Sequence, residues 1–200
     1  MPSETPKHQH FRERQDRIIA AARQCFRRAG FHGAGMAEIA RVAELSVGQI
    51  YRYFTNKDAI IEEMVYRIAE ARIAPLERDL NHTARMPDIL VGNAPYDEVY
   101  HYSDDNALML EATAEASRNP RVAEILKAAD ARIFNQACLM LQKRYPRLSQ
   151  ASIAARVELM AALVQGTSTR SLLASSAPRA ELHQLYQHII TLLFSEDEAL

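Results

Sequence analysis

The chain has 200 residues, of which 48% are apolar and 24% charged, a composition that argues against disorder and suits one or two small helical domains. Its net charge of −1 conceals an asymmetry, because residues 1–60 carry ten Lys and Arg against six Asp and Glu, whereas the remainder carries fourteen against nineteen. With two cysteines and no apolar run near the ~18–20 residues that cross a bilayer, the sequence predicts a cytoplasmic protein without a disulfide framework or a membrane span.

The amino-terminal residues predict a short tail and then an amphipathic helix. Residues 1–11 are polar and basic and include two prolines, so we expect a disordered tail, although its cations could alternatively follow DNA into a minor groove. From Glu13 to Ala29 apolar residues recur with helical spacing, and Gly30 is expected to end this helix. We interpret both cysteines of the chain as buried small hydrophobes, with redox-active thiols as the alternative.

The stretch MAEIARVAELSVGQIYRYFT, residues 36–55, predicts two short helices that cross at a fixed angle. Ile39 and Ala40 fall on the inner face of the first helix, and Ile50 and Phe54 anchor the second by their i, i+4 spacing. Ala40 has to be small, because helices that cross at roughly 90–120° leave no room there for a longer side chain.

The same helical period turns a polar, aromatic and basic set of side chains outward. Gln49 can pair with adenine, Arg52 with guanine or with phosphate, and Tyr53 can reach phosphate. The alternative is an amphipathic hairpin whose outer face is merely solvated. The candidate DNA-binding residues are Ser46, Val47, Gly48, Gln49, Tyr51, Arg52, Tyr53 and Lys57.

The segment GFHGAGMAEIARVAELSVGQIYRYFTNKDAI, residues 30–60, resembles the DNA-binding signature of the TetR family of transcriptional regulators. This resemblance implies an all-α fold, with an N-terminal three-helix helix-turn-helix DNA-binding head at residues 12–57 and a C-terminal helical ligand-binding and dimerisation body at 58–200. It further implies that Lys57 and Tyr53 contact phosphate. The matching residues are Gly30, Phe31, Ile39, Ala40, Ala43, Ser46, Gly48, Ile50, Tyr51, Tyr53, Phe54, Asn56, Lys57 and Ile60.

Two positions depart from the family pattern. Where many members carry Thr at the start of the second helix, this chain has Gly35 and Met36, so a hydroxyl contact to phosphate is missing. Where the turn commonly has Gly, this chain has Glu44, which would be strained by about 1 kcal/mol if it must adopt a positive φ.

A fourth helix is predicted from near Asn56 towards Leu80, with Thr55 and Asp58 in the spacing of a capping box. Its first amides and Lys57 would lie on the phosphate side of the head. In the following segment, residues 81–105, prolines and glycine predict one or two short helical pieces and a loop. Glu98 and His101 there have metal-ligand spacing, but a di-iron bundle needs two such pairs, so we predict no metal and no cofactor.

The remaining sequence predicts helices from Asp104 to Asn119, from Pro120 to about Tyr145, from Ser149 or Ser152 to Ser175, and from Pro178 to Phe194. The last two are apolar and rich in small residues, which permits close helix packing. We expect a homodimer through residues of about 150–194, as the resemblance implies. The alternative is that both helices fill the core of the monomer.

The resemblance also implies a pocket in the body for an unknown small-molecule effector. Soft, aromatic and isolated polar side chains on apolar helices are its candidate lining, although each could instead belong to the core or the surface. Glu111, if buried, would favour a cationic ligand. The candidates are Tyr102, Met109, Glu111, Phe134, Cys138 and Gln165.

These patterns favour a ligand-responsive repressor that binds double-stranded DNA at a pseudo-palindromic operator and is released by an inducer. One alternative is an activator, or a regulator that needs its ligand to bind. Another is a helical enzyme or interaction module, against which stands the absence of a nucleophile motif, paired metal ligands or a glycine-rich phosphate loop.

Overall fold

The computed structural model describes residues 6–78, 82–91, 102–170, 173 and 177–194, and these residues form helices joined by turns, without a β-strand. The predicted all-α class is therefore confirmed. The helices are α1 (Pro6–Gly33), α2 (Met36–Val42), α3 (Val47–Ile50), α4 (Lys57–Arg78), α5 (His82–Val91), α6 (Tyr102–Ala116), α7 (Pro120–Arg144), α8 (Gln150–Arg170) and α9 (Arg179–Phe194).

Packing divides the chain into two compact units. Unit 1 comprises Met1–Ile68 and Ala107–Ala128, and unit 2 comprises Ala69–Asn106 and Ala129–Leu200. Helices α4, α6 and α7 contribute residues to both units, so this division does not coincide with the boundary predicted between residues 57 and 58.

Helix α1 supplies the first layer of the core of unit 1. Its predicted apolar stripe is buried, and Gly30 interrupts the helix with a φ of 69°, after which one further turn reaches Gly33. The aromatic rings on the two sides of this kink, Phe26 and Phe31, meet edge to face with centroids 4.7 Å apart. The buried residues of the predicted stripe are Ile18, Ala22, Cys25 and Phe26, and Ile19 and Ala21 next to it are buried as well.

The predicted amino-terminal tail is wrong from residue 6 onward, because α1 begins at Pro6 rather than at Glu13. Proline suits the first turn of a helix, where its missing N–H has no partner to lose. The early turns also have a tertiary contact, since the ring of Phe11 lies against that of Tyr53 with centroids 4.8 Å apart. The part of the predicted tail at residues 1–5 lies outside the described residues.

The start of α4 differs from the predicted capping box of Thr55 and Asp58. Asn56 caps the helix, because its Oδ1 accepts a hydrogen bond from the backbone N–H of Ala59 at 2.8 Å. The cap that begins α7 is confirmed, since Asn119 Oδ1 accepts from the N–H of Arg121 at 3.1 Å, with Pro120 at the first helical position.

In unit 2, α5 packs against α8 and α9. Pro87, which we expected to interrupt any long helix, lies inside α5, a short helical piece of 10 residues as predicted for this segment, and Met86 and Leu90 near it are buried. Helix α8 ends at Arg170, before the predicted Ser175. The core of this unit consists of Met86, Met140, Leu141, Ile153, Val157, Ile190 and Phe194.

A buried arginine ties α8 to the end of α9. Arg156 donates from Nε to the backbone oxygen of Leu193 at 2.5 Å and from its guanidinium to Ser152. The charge is therefore satisfied by the carbonyl end of a helix, where a cation is favourable.

Burial raises the pKa of both cysteine thiols. The negative charge of nearby Glu38 raises the pKa of Cys25 further, and that of Glu158 raises the pKa of Cys138 further. A raised pKa keeps a thiol protonated and poorly nucleophilic, which favours the packing interpretation over redox activity.

Candidate nucleic-acid interface

The turn between α2 and α3 is a Schellman motif. The N–H of Leu45 donates to the oxygen of Ala40 at 2.9 Å, and the N–H of Glu44 donates to that of Arg41 at 3.2 Å. Glu44 occupies the left-handed position with a φ of 51°, so the strain expected from a residue other than glycine is present. Its carboxylate forms an ion pair with Arg17 of α1, which glycine could not do.

The buried anchors lie where the sequence places them. Ile39 and Ala40 of α2 and Ile50 of α3 are buried, and Phe54 closes the following turn. Helix α3 is short, but the chain continues in helical turns, since the N–H of Phe54 donates to the oxygen of Ile50 at 3.0 Å. The two helices are therefore held at a fixed angle from one side, and their other side is left to solvent.

A capping box begins α3. Ser46 Oγ accepts from the N–H of Gln49 at 3.2 Å, and Gln49 Oε1 accepts from the N–H of Ser46 at 2.8 Å. Both side chains were predicted to contact DNA, and the structure gives both an additional role in the cap. Because Oε1 makes the capping bond, the amide of Gln49 is fixed in orientation, and its Nε2 amino group is the part left for a base.

The side chains predicted to contact DNA are exposed in and next to α3, and those that follow further along the chain are only partly exposed. Ser46, Val47, Gly48, Gln49, Tyr51 and Arg52 are exposed, whereas Tyr53 and Lys57 are half-buried. Tyr53 is covered in part by Phe11. A Cβ added at Gly48 would meet no atom of the protein within 4 Å. The absence of a side chain there leaves the backbone of α3 open to approach.

Lys57 has a partner within the protein that the sequence did not predict. Its Nζ donates to the backbone oxygen of Phe31 at 2.5 Å. An ammonium group has three donors, so this bond fixes the position of the cation and still leaves donors for a phosphate.

Glu38, in the first turn of α2, joins α1 to α2. Hydrogen bonds from Arg28 and Arg41 to its carboxylate lower the pKa of Glu38. Gly35 is the N-cap of α2, and it supplies no side-chain hydrogen bond.

The candidate effector residues do not come together in one unit. Met109 and Glu111 belong to unit 1, and the side chain of Tyr102 lies outside what the structure describes. Phe134 and Cys138 pack against the core of unit 2, whereas Gln165 is exposed on α8.

Glu111 is half-buried and has a partner within the protein. Its Oε1 accepts a hydrogen bond from the backbone N–H of Phe31 at 2.9 Å, and its suggested role towards a cationic ligand stays a prediction. The sequence could not reveal this contact, because the partners are 80 residues apart.

Among the described residues no group of three or more His, Cys, Asp or Glu is arranged to hold a metal ion, and the predicted pair of Glu98 and His101 lies outside them. No helix in the same part of the chain has the length and apolar character to cross a membrane.

Comparison with known proteins identifies the amino-terminal segment. Residues 18–64 match the family model for bacterial regulatory proteins of the tetR family. The transcriptional regulator UidR of Escherichia coli K12 is 32% identical over 115 residues, so the chain covers 56% of UidR, just over half its length. The transcriptional regulator BetI of Pectobacterium carotovorum is 29% identical over 170 residues, which cover 82% of this chain and 85% of BetI.

Solved structures share the fold along most of the chain. Salmonella enterica GusR superposes with a TM-score of 0.76 at 23% identity, over 90% of this chain and 95% of GusR. A transcriptional regulator from Saccharomonospora viridis in complex with choline superposes with a TM-score of 0.66 at 18% identity, over 89% of this chain and 95% of that one. UidR, BetI and the choline-bound protein are named as transcriptional regulators. Residues 18–64 therefore carry the DNA-binding segment of the TetR family of transcriptional regulators, and the fold along most of the chain is shared with solved transcriptional regulators.

Proposed function

We propose that this protein is a homodimeric, ligand-responsive transcriptional repressor that binds a pseudo-palindromic operator. The observation that carries the proposal is the exposed edge of α3, which presents Val47, Gly48, Gln49, Tyr51 and Arg52 from a helix-turn-helix clamped by a capping box and a Schellman motif. A rigid polar edge with an arginine and a glutamine suits base and phosphate contacts in a major groove.

The contacts divide into two kinds. Gln49 and Arg52 reach base edges and specify sequence, while Lys57 and Tyr53 contact phosphate and set the register of the head. Ser46 keeps α3 in place through the capping box. The net positive charge of residues 1–60 supports this assignment, because phosphate contacts dominate affinity.

A second copy of the chain is proposed to pack against α8 and α9. Both helices carry exposed apolar residues in unit 2, Leu159 on α8 and Leu185, Ile189 and Leu192 on α9. The α9 residues follow i, i+4 and i+7 spacing, so they lie along one stripe. A two-fold dimer would place two α3 helices about 34–36 Å apart, one turn of DNA.

The effector is proposed to bind among the helices of the body and to change the spacing of the two heads. The regulator from Saccharomonospora viridis holds choline on a similar fold, which supports a small-molecule site in this architecture. An effector coupling of about 1–3 kcal/mol would weaken operator binding roughly 5- to 150-fold.

The test begins with a duplex enriched from random DNA by the protein, measured beside a scrambled duplex across a range of salt. Gln49→Ala is expected to lose about 1–3 kcal/mol on the enriched duplex only. Lys57→Ala is expected to weaken both duplexes alike and to flatten the salt slope by about one.

The scrambled duplex also serves as the folding control, because an unfolded head would lose both affinities together. Identical behaviour of the two variants on the two duplexes would overturn the assignment of roles. Absence of salt-dependent binding by the unmodified protein would overturn the proposed function.

A further inference from the structure

We infer that Glu111 is a positioning residue for the phosphate contact of Lys57, and that it acts through the backbone of Phe31. This inference rests on the proposed function and extends it to a residue that lies outside the helix-turn-helix. All of the groups involved belong to unit 1.

Both backbone polar groups of Phe31 are held by charged side chains. Its N–H donates to Glu111 Oε1 of α6 at 2.9 Å, and its oxygen accepts from Lys57 Nζ at the start of α4 at 2.5 Å. The anion and the cation therefore act on opposite sides of one residue. A shift of Phe31 would move the acceptor that holds the ammonium group.

The kink at Gly30 makes the contact with Glu111 possible. The non-helical dihedrals of Gly30 break the regular hydrogen-bond ladder at Phe31, whose N–H then needs another acceptor. A Cβ at position 30 would lie only 2.7 Å from Glu111 Oε1, so the carboxylate occupies the space that the missing side chain leaves.

The packing of the Phe31 side chain restricts the movement of its backbone. Its ring is 1% exposed and meets Phe26 edge to face. With the ring packed and the N–H bound, the carbonyl oxygen has a fixed position. Lys57 loses less side-chain freedom when it then meets a phosphate, which is the advantage of a preorganised contact.

The neighbouring carboxylate on α6 provides a matched control. Glu115 lies one turn after Glu111, is buried, and pairs with Arg118 at 2.6 Å and with His32 at 3.7 Å. Loss of its charge perturbs the same helix and the pair with His32, but leaves the hydrogen bond from the Phe31 N–H to Glu111 in place.

The experiment is a double-mutant cycle of Glu111→Ala and Lys57→Ala, with affinity for the enriched duplex and its salt slope as readouts. Glu111→Ala is expected to weaken binding about three- to tenfold and to flatten the slope when Lys57 is present, and to have no further effect when Lys57 is absent. Glu111→Gln, which keeps an acceptor for the Phe31 N–H, is expected to restore most of the affinity.

Equal losses from Glu111→Ala in both backgrounds would overturn the inference, since they would indicate a general effect on folding. No loss in either background, or a loss as large from Glu115→Gln, would overturn it as well. If Glu111→Ala does not fold, Glu111→Asp replaces it, because Asp keeps the charge but withdraws the carboxylate from Phe31. Failure of the unmodified protein to bind DNA would instead overturn the proposed function and the inference with it.

Discussion

Gly48 occupies a position in α3 where a side chain would meet nothing of the protein itself. Its backbone does not need a positive φ, because the structure assigns positive φ to Gly30 alone among the described glycines. Glycine weakens a helix relative to alanine. The structure of the single chain therefore gives no reason for glycine here, and the close approach of the α3 backbone to DNA that we propose would supply one.

Gly48→Ala is expected to separate stability from DNA binding. Alanine should leave the melting temperature unchanged or raise the stability by about 0.4–1 kcal/mol, because it restricts the unfolded chain. Operator affinity should fall, because a methyl group would separate α3 from the groove. Thermal unfolding and fluorescence anisotropy with the enriched duplex measure the two effects. Undiminished affinity would mean that the α3 backbone does not approach the DNA.

Glu38 gives the head a stability that depends on pH. Its pKa is lowered by Arg28 and Arg41, so the folded protein holds this carboxylate ionised to a lower pH than the unfolded chain does. This carboxylate therefore adds to the free energy of unfolding at every pH above the pKa of an ordinary glutamate, about 4. The contribution is lost as the pH falls through the lower pKa that Glu38 has in the folded protein.

Glu38→Gln should therefore melt at a lower temperature than the unmodified protein at about pH 7, and the difference should shrink at about pH 3. Thermal unfolding of both proteins at each pH tests this. Because the carboxylate is solvent-accessible, high salt should also reduce the difference. A difference that persists unchanged in acid would show that the ion pairs with Arg28 and Arg41 do not cause it.

The sequence predicted which side chains are buried better than it predicted their hydrogen-bond partners. Helical periodicity identified Ile39, Ala40, Ile50 and Phe54 because an anchor is defined by its neighbours along the helix. The partners of Lys57 and Glu111 depend on Phe31, which is far from both in sequence, so no local pattern contains them.

The ends of the helices show how closely two adjacent residues compete for one role. Thr55 and Asn56 both have side chains that can cap α4, and the sequence favoured Thr55 through its spacing to Asp58. In the structure Asn56 makes the bond to the N–H of Ala59, and α4 begins at Lys57. Asn56 therefore precedes the first helical residue, which is where a cap acts.

Asn56→Ala should destabilise the protein by about 0.5–2 kcal/mol, whereas Thr55→Ala should change stability by no more than a few tenths. The free energy of unfolding of each variant in urea measures the difference. Thr55→Ala is the matched control, since it removes a neighbouring exposed side chain that can cap. If Thr55→Ala lowers the free energy of unfolding more than Asn56→Ala does, Thr55 caps α4, as the capping box predicted from the sequence has it.

Helix starts were predicted well where a local signal marks them and poorly where it does not. Asn119 followed by Pro120 marks α7 within two residues, and the structure agrees. The first turns of α1 have no apolar period, and their support comes from the contact of Phe11 with Tyr53. Such a contact between distant residues cannot be read from one segment.

Helices α8 and α9 carry apolar side chains whose exposure to solvent has no explanation in a single chain. Leu185 is 60% exposed and Leu192 is 50% exposed on the same stripe of α9. Contact with a second copy would remove this surface from water, which is favourable by about 25 cal/mol per Å².

Leu185→Glu is expected to yield monomers in analytical ultracentrifugation and to weaken operator binding, because one head then binds without its partner. Gln184→Glu adds the same charge at the adjacent exposed position, outside the stripe, and should remain dimeric. If Leu185→Glu sediments as the unmodified protein does, the proposed interface lies elsewhere.

The second part of unit 1, Ala107–Ala128, is synthesised well after the first part, Met1–Ile68. The first part ends at Ile68 and the second at Ala128, so about 60 residues separate the two ends in sequence. Ribosomes add ~5–20 residues per second, so the first part of unit 1 is synthesised on the order of 3–12 s before the end of the stretch that contains the buried residues Leu108, Ala112 and Val122. During that interval the nascent chain exposes apolar surface that chaperones can recognise. We expect a fragment cut after Ile68 to be less stable than the full chain, because it lacks the part of unit 1 that contributes Leu108, Ala112 and Val122 to the core.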